Sequence, residues 1–347
     1  MSAKIGFQND YSDGAHPAIL AALTKGNVHF QPSYAQDEYS QDAQRLIRQK
    51  TNHPDAAVYL VASGTLANII AIGSCLRPHE AVIAANTGHL VVREAGAIEA
   101  TGHKIITVRH AEGKLTTQGI LQVIDENSHF PHMSKPRMVC LSNATEAGTF
   151  YRKAELTAIA DLCRSRGLLL YLDGARLGVA LAAEQSDLNL EDIARLTDMF
   201  WIGGTKVGAL LGEAIVITNP TLKEDFSFHI KQRGGLLAKG RVLGLQFQEL
   251  FRENLFFDLA LHANKMAKAL SDGIQQLRYD LVNPTETNQV FPIFPDSLVE
   301  KLQETFFFEV WDKLGNGKLV IRLVTSWATS TGQVEAFLGK VRQSSTD

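Results

Sequence analysis

Short apolar runs rich in Val, Ile and Leu alternate along most of the chain with amphipathic stretches of ten or more residues. AAVYLVAS (56–63), EAVIAA (80–85), KIITVRH (104–110), PRMVCLSNA (136–144), GLLLYLDGA (167–175) and MFWIGGT (199–205) read as strands. Between them TLANIIAIGSCL, LVVREAGAIEATG, TTQGILQVIDEN, RKAELTAIADLCRSRG and NLEDIARLT carry helical spacing. Continuous apolar strands separated by helices predict a mostly parallel sheet covered on both faces, a three-layer α/β/α unit. GEAIVITN (212–219) follows a tight turn and reads as a further strand, with an antiparallel direction open to it.

The pattern changes after about Gly240. VLGLQFQELF and FFDLALHANKMAKALSDGIQQL form a long helical region, with Leu255, Leu259, His262, Met266, Leu270, Ile274 and Leu277 spaced by three and four as one apolar stripe. Strand, helix, strand, strand and helix signals follow. The expected organisation is an N-terminal arm at 1–19, a large α/β domain at 20–245 and a smaller α+β domain at 246–347.

Composition narrows the function. Of 347 residues, 34 are Lys or Arg and 37 Asp or Glu, for a net charge of −3, and no basic stripe stands out. Nucleic acid and anionic membranes are therefore poor partners. No apolar run approaches the ~18 residues of a membrane helix, and the N-terminus is unlike a signal peptide. Three cysteines without metal-like spacing read as small buried apolar residues in a reducing compartment, so a cytoplasmic location is expected.

Three sites carry chemistry. Ser63-Gly64-Thr65 lies where a strand turns into a helix, a place for a phosphate or for a simple N-cap. Asp173 and Arg176 stand at the carboxyl end of the most apolar strand, as a ligand-facing acid or as a local pair fixing the turn. Lys206, embedded among glycines and apolar residues, would lose solvation and become a neutral nucleophile; the alternative is a surface lysine at a turn. A phosphate turn, then a strand-end acid, then a lysine about thirty residues later, is the layout of pyridoxal-phosphate enzymes of the aspartate-aminotransferase fold.

Within that fold the sequence resembles the low-specificity L-threonine aldolases of the β-eliminating lyase group over nearly its whole length. The strongest matches are SGTLAN (63–68), HLVVREAGAIEATGHK (89–104), NATEAGTFY (143–151), LDGARL (172–177) and GGTKVG (203–208). NDYSDGAHP (9–17), YAQDEYS (34–40), KQRGGLLAKGR (231–241) and VIRLVTSW (320–327) match more weakly. The resemblance implies Lys206 as the Schiff-base lysine, Asp173 at the pyridine nitrogen and His89 stacked on the ring. Ser63, Gly64, Thr65 and Lys239 would hold the phosphate, with Arg176 beside the cofactor. Asn9, Tyr34, Arg176 and Arg322 would meet the amino-acid substrate, Arg322 through its α-carboxylate. The implied reaction is retro-aldol cleavage of threonine, allo-threonine or a relative such as phenylserine to glycine and an aldehyde. Another pyridoxal-phosphate β-elimination or transamination shares every cofactor residue, and a non-catalytic binder of the cofactor is a further alternative. A homo-oligomer, dimer or tetramer, is also implied, with Tyr34, Lys239 and Arg241 serving a neighbouring subunit's site.

Two departures stand out. Where many threonine aldolases carry a histidine near the substrate hydroxyl, this chain has Thr145, which cannot act as a base near neutral pH. Glu146, another histidine or a water must do that work. An arginine-containing phosphate run of better-known members falls near Ala238-Lys239, where Lys239 would replace the guanidinium.

Overall fold

A computed structural model describes residues 4–110 and 112–344; the outermost positions of the expected N-terminal arm and C-terminal domain lie outside them. The main sheet has seven strands. From one edge to the other they run Ala57–Val61, Glu213–Ile217, Met199–Gly203, Leu169–Asp173, Lys135–Ser142, Glu80–Ala85 and Lys104–Val108. Six run in one direction, and only Glu213–Ile217 opposes them, antiparallel to both its neighbours.

Alternation along the strands divides the core in two. Val58, Leu60, Ile83, Leu170 and Leu172 enter one apolar cluster, together with residues of the helices Glu38–Lys50, Lys153–Arg166 and Arg241–Arg252. Val61, Val82, Ala84, Leu169 and Tyr171 enter the other, under the helices Gly64–Cys75 and Phe226–Gln232. Successive side chains of a strand point to opposite faces, so a strand apolar at every position needs helices on both. The three-layer expectation is met.

A third cluster lies beyond this sheet. Ile293–Pro295, Lys318–Val324 and Glu309–Gly315 form a second antiparallel sheet, with Gln289–Val290 also paired to Lys318–Val324. The N-terminal segment joins it: Ile5–Gly6 pairs parallel with Phe306–Phe307, and Phe7 is fully buried there.

Helix Leu255–Gln276 spans both regions. Its Phe256, Leu259, Ala260 and Ala263 pack with the main sheet, and Ala267, Leu270 and Ile274 with the C-terminal cluster. The stripe read from large side chains is therefore displaced. Small residues let the helix approach closely, while His262 is only part-buried with Nε2 2.7 Å from the Thr329 carbonyl oxygen. A second reading is corrected at LVVREAGAIEATG. Helix His89–Val92 is one turn long, because Ala95 and Gly96 take positive φ of 51° and 75°, and only a short 3₁₀ turn at Glu99–Thr101 follows.

Candidate active site

The carboxyl ends of the parallel strands share one edge of the main sheet, and the loops leaving them carry the polar residues. A cavity of about 360 Å³ opens there, lined by Ser63, Gly64, Thr65, His89, Asp173 and Lys206 among others. This is where an open α/β sheet binds ligands. A larger groove, about 590 Å³, lies around Asp198 and Arg164 at the other end of the strands. Its central charged groups are committed, since Asp198 accepts from Leu170 N and Asn219 Nδ2, and Arg164 donates to the Arg195 carbonyl oxygen.

Ser63 caps helix Gly64–Cys75, its hydroxyl accepting from Leu66 N at 3.4 Å. The cap leaves the first amides of the helix at its positive end facing the cavity. Gly64 is required on packing grounds, since a Cβ there would stand 2.6 Å from the Trp201 ring. The turn after Asp173 meets the turn after Met199–Gly203 backbone to backbone. A Cβ on Gly174 would fall 1.7 Å from the Trp201 carbonyl oxygen, and one on Gly203 2.5 Å from that of Ala175. Glycine is thus what lets Asp173 and Lys206 converge.

The Asp173 carboxylate is buried and accepts from Asn68 Nδ2 and Ala175 N, both at 3.0 Å. Burial pushes its carboxyl above the ordinary range against those hydrogen bonds, and no cation is hydrogen-bonded to it among the described residues. Asn68 also donates to Glu94 and accepts from the Tyr171 hydroxyl, which fixes its orientation. His89 Nδ1 lies 2.8 Å from Glu94 Oε1. Burial, then the Arg176 guanidinium, hold the Lys206 ammonium below its usual pKa, with Asp10, Glu146 and Asp173 opposing.

A buried charge cluster adjoins Lys206. Arg176 donates through Nε and Nη2 to Asp10 at 2.8 and 3.0 Å, and its Nη1 lies 3.7 Å from Glu146. Arg322 has Nη2 2.7 Å from Glu309 and Nη1 4.0 Å from Glu146, its guanidinium lies 4.9 Å from the Trp311 ring centroid, and its Nε is buried without a partner. Glu146 therefore connects the two arginines.

Ser63, Gly64, Thr65, His89, Asp173 and Lys206 come together on one cavity; Arg176 and Arg322 come together beside it. Asn9, Tyr34 and Lys239 do not line it. Asn9 Oδ1 accepts from Tyr11 N and the Ser12 hydroxyl. Tyr34 hydrogen-bonds by its backbone to Ala238, and its ring lies 4.5 Å from the Lys231 ammonium. Four lining residues had no signal of their own in the sequence: Tyr11, Glu94, Trp201 and Glu213. Glu213 opens the antiparallel strand, whose reversed direction brings its first residue to the edge where the other strands end. It accepts from Gly204 N and the Thr205 hydroxyl, and burial pushes its carboxyl up.

Comparison with known proteins adds four findings. Residues 12–296 match the Beta-eliminating lyase family. The chain is 33% identical to a low specificity L-threonine aldolase of Pseudomonas sp. (strain NCIMB 10558), over 97% of this chain and 96% of that one. It is 44% identical to the solved threonine aldolase of Leishmania major, at a TM-score of 0.96 and coverage of 98% and 99%. Against an aspartate aminotransferase of Thermus thermophilus the TM-score is 0.71 at 14% identity, a likeness of fold alone. With the family match extending across the main sheet and its cavity, and a relative above 30% identity over almost the full length, the chain belongs to the beta-eliminating lyase family.

Proposed function

We propose that the protein is a pyridoxal-phosphate-dependent aldehyde-lyase that cleaves threonine and related β-hydroxy-α-amino acids to glycine and an aldehyde. The observation that carries this reading is the convergence of Lys206, Asp173 and the Ser63–Thr65 turn on one cavity. The residues fit the cofactor. Asp173 is a buried carboxylate with no cation on it, and the cavity wall includes Trp201 and Glu94, each with a buried polar atom, Nε1 and Oε2, lacking a partner. A polar, positively charged ring would satisfy this wall better than an apolar guest.

Pyridoxal phosphate, when bound, supplies the electron sink for the pair left on the substrate's Cα. The protein's part is to hold and orient. Lys206, whose ammonium burial and Arg176 hold below its usual pKa, would be the amine that attaches the cofactor. Asp173, whose buried negative charge is otherwise supported by hydrogen bonds from Asn68 and Ala175 alone, would favour a protonated ring nitrogen opposite it. The Gly64 and Thr65 amides at the helix end, with the two hydroxyls, suit a phosphate. Arg322 offers a planar fork for the α-carboxylate, so that the bond to be broken is held in one orientation. Tyr34, Lys239 and Arg241, outside this chain's cavity, are assigned to the site of a second copy in a homo-oligomer. The reading is supported by the alignment with the aldolases named above. It is tested by product analysis with L-threonine, L-allo-threonine and phenylserine: glycine with an aldehyde is expected, whereas pyruvate with ammonia, or a keto acid, would overturn it.

A further inference from the structure

Thr145, standing where the family resemblance puts a histidine, has its hydroxyl committed. Its Oγ1 lies 2.7 Å from that of Thr149, and both hydroxyls reach the Glu112 carbonyl oxygen, at 3.4 and 2.8 Å. His89 Nδ1 is taken by Glu94. Glu146 is different. It is 8% exposed, in the turn four residues beyond the strand Lys135–Ser142, and its oxygens lie 3.7 Å from Arg176 Nη1 and 4.0 Å from Arg322 Nη1. These are ion-pair distances too long for hydrogen bonds, and among the described residues none donates a hydrogen bond to this carboxylate. Of the other two anions of the cluster, Asp10 takes two bonds from Arg176 and one from Asn288, and the part-exposed Glu309 takes Arg322 Nη2 on one oxygen with Arg93 3.8 Å from the other. Glu146 thus keeps acceptor capacity between the arginine assigned to the substrate carboxylate and Lys206.

We propose that Glu146 is a catalytic residue that binds the substrate's β-hydroxyl and takes its proton as the Cα–Cβ bond breaks. The inference rests on the β-hydroxy amino acid reading above. In the step, the O–H proton passes to a Glu146 oxygen and the O–H pair becomes the second carbon–oxygen bond of the aldehyde. The Cα–Cβ pair stays with Cα, which takes up a proton before glycine leaves, and Glu146 returns its own proton to solvent. No external oxidant or reductant enters.

The groups around Glu146 suit this. Burial would raise its carboxyl, but Arg176, Lys206, His89 and Arg322 together outweigh that and hold it below the usual range, so it enters as the anion. Asp10 and Glu309 sit behind the two arginines. A substrate carboxylate arriving on Arg322 offsets part of that positive field, leaves burial less opposed, and makes Glu146 a stronger base when one is needed.

The test is Glu146→Gln beside Glu146→Asp in the cofactor-loaded protein, with three readouts. Cofactor titration by absorbance should be unchanged. Aldehyde release from L-threonine is divided by α-hydrogen exchange of glycine in deuterium oxide, a reaction at the same Cα with no β-hydroxyl. In E146Q that ratio should fall about 100-fold or more, the scale of a lost general base, and the acid limb of kcat/KM should disappear. Glu146→Asp, which keeps the charge, should retain more of the ratio. A ratio within about threefold of wild type would overturn the proposal, as would cleavage and exchange falling in parallel, which would make Glu146 a mere spacer for the arginines. Wild-type protein that exchanges glycine yet releases no aldehyde from any β-hydroxy amino acid would overturn the parent reading, and Glu146's role with it.

Discussion

Replacing Asp10 by asparagine keeps the side chain's size and removes its charge. Asp10 is 2% exposed and accepts from Arg176 twice and from Asn288 Nδ2 at 2.9 Å. The variant turns one acceptor oxygen into a donor facing donors. It also leaves the buried Arg176 guanidinium with Glu146, 3.7 Å away, as its remaining anion. Removing one partner of a buried pair costs about 3–5 kcal/mol, and the surviving Glu146 argues for the lower end. With a urea slope of about 3 kcal/mol per molar, the unfolding midpoint should drop by roughly 1 M. The pH dependence has a definite sign. Burial raises the Asp10 carboxyl, but Arg176, Lys206 and the hydrogen bonds from Arg176 and Asn288 outweigh it, so its folded pKa lies below the ordinary 3.8. A group depressed on folding stabilises above its unfolded pKa and loses that contribution as pH falls through the folded one. Urea melts of wild type and Asp10→Asn at pH 7, 5 and 3 should therefore show a constant gap from 7 to 5 and a smaller one at 3. A gap under about 1 kcal/mol at pH 7, or one that widens on acidification, refutes the argument that buried Arg176 depends on Asp10 for charge compensation.

Three shorter predictions follow from the same geometry. Lys206→Ala should abolish the borohydride-reducible link to the cofactor and its absorbance band; a variant that keeps both has another attachment residue. Arg322→Lys should lower kcat/KM about 10- to 100-fold, the worth of a charged hydrogen bond, because an ammonium cannot bond Glu309, lie over Trp311 and offer a fork together; near-normal kinetics would make Arg322 a tie between strands. Gly174→Ala puts a Cβ 1.7 Å from a backbone oxygen that no rotamer change can move, so circular dichroism melts should show gross destabilisation, and a wild-type melt would contradict the close crossing.

What the sequence disclosed follows from distance along the chain. Strands buried on both faces are continuous apolar runs, and their ends are marked by the first polar residues after them, which is why Ser63, Asp173 and Lys206 were legible together, whereas His89 came from the family resemblance alone. Arg176 was visible, yet its partner Asp10 lies 166 positions away in a segment without periodicity. Glu213 stood at the head of a strand signal, but nothing in the pattern marked its carboxylate as lining the cavity until antiparallel pairing put that end at the site. The long C-terminal helix was legible, but its contact face was not, since Ala260, Ala263 and Ala267 bury as completely as leucine while contributing little to a pattern read from bulky side chains.

That helix, Leu255–Gln276, has a consequence for anyone dividing the protein. One continuous rod carries apolar side chains of two separate cores. A cut near residue 246, where the sequence pattern changes, falls inside helix Arg241–Arg252 and would strip Phe256, Leu259 and Ala260 from the large sheet, leaving a wet apolar trough on an excised fragment. The halves are therefore not interchangeable modules. Shuffling C-terminal segments between relatives has a better chance of yielding folded chimaeras if the crossover falls beyond Gln276, with the whole rod inherited from the parent of the main sheet, than if it follows the change in sequence pattern.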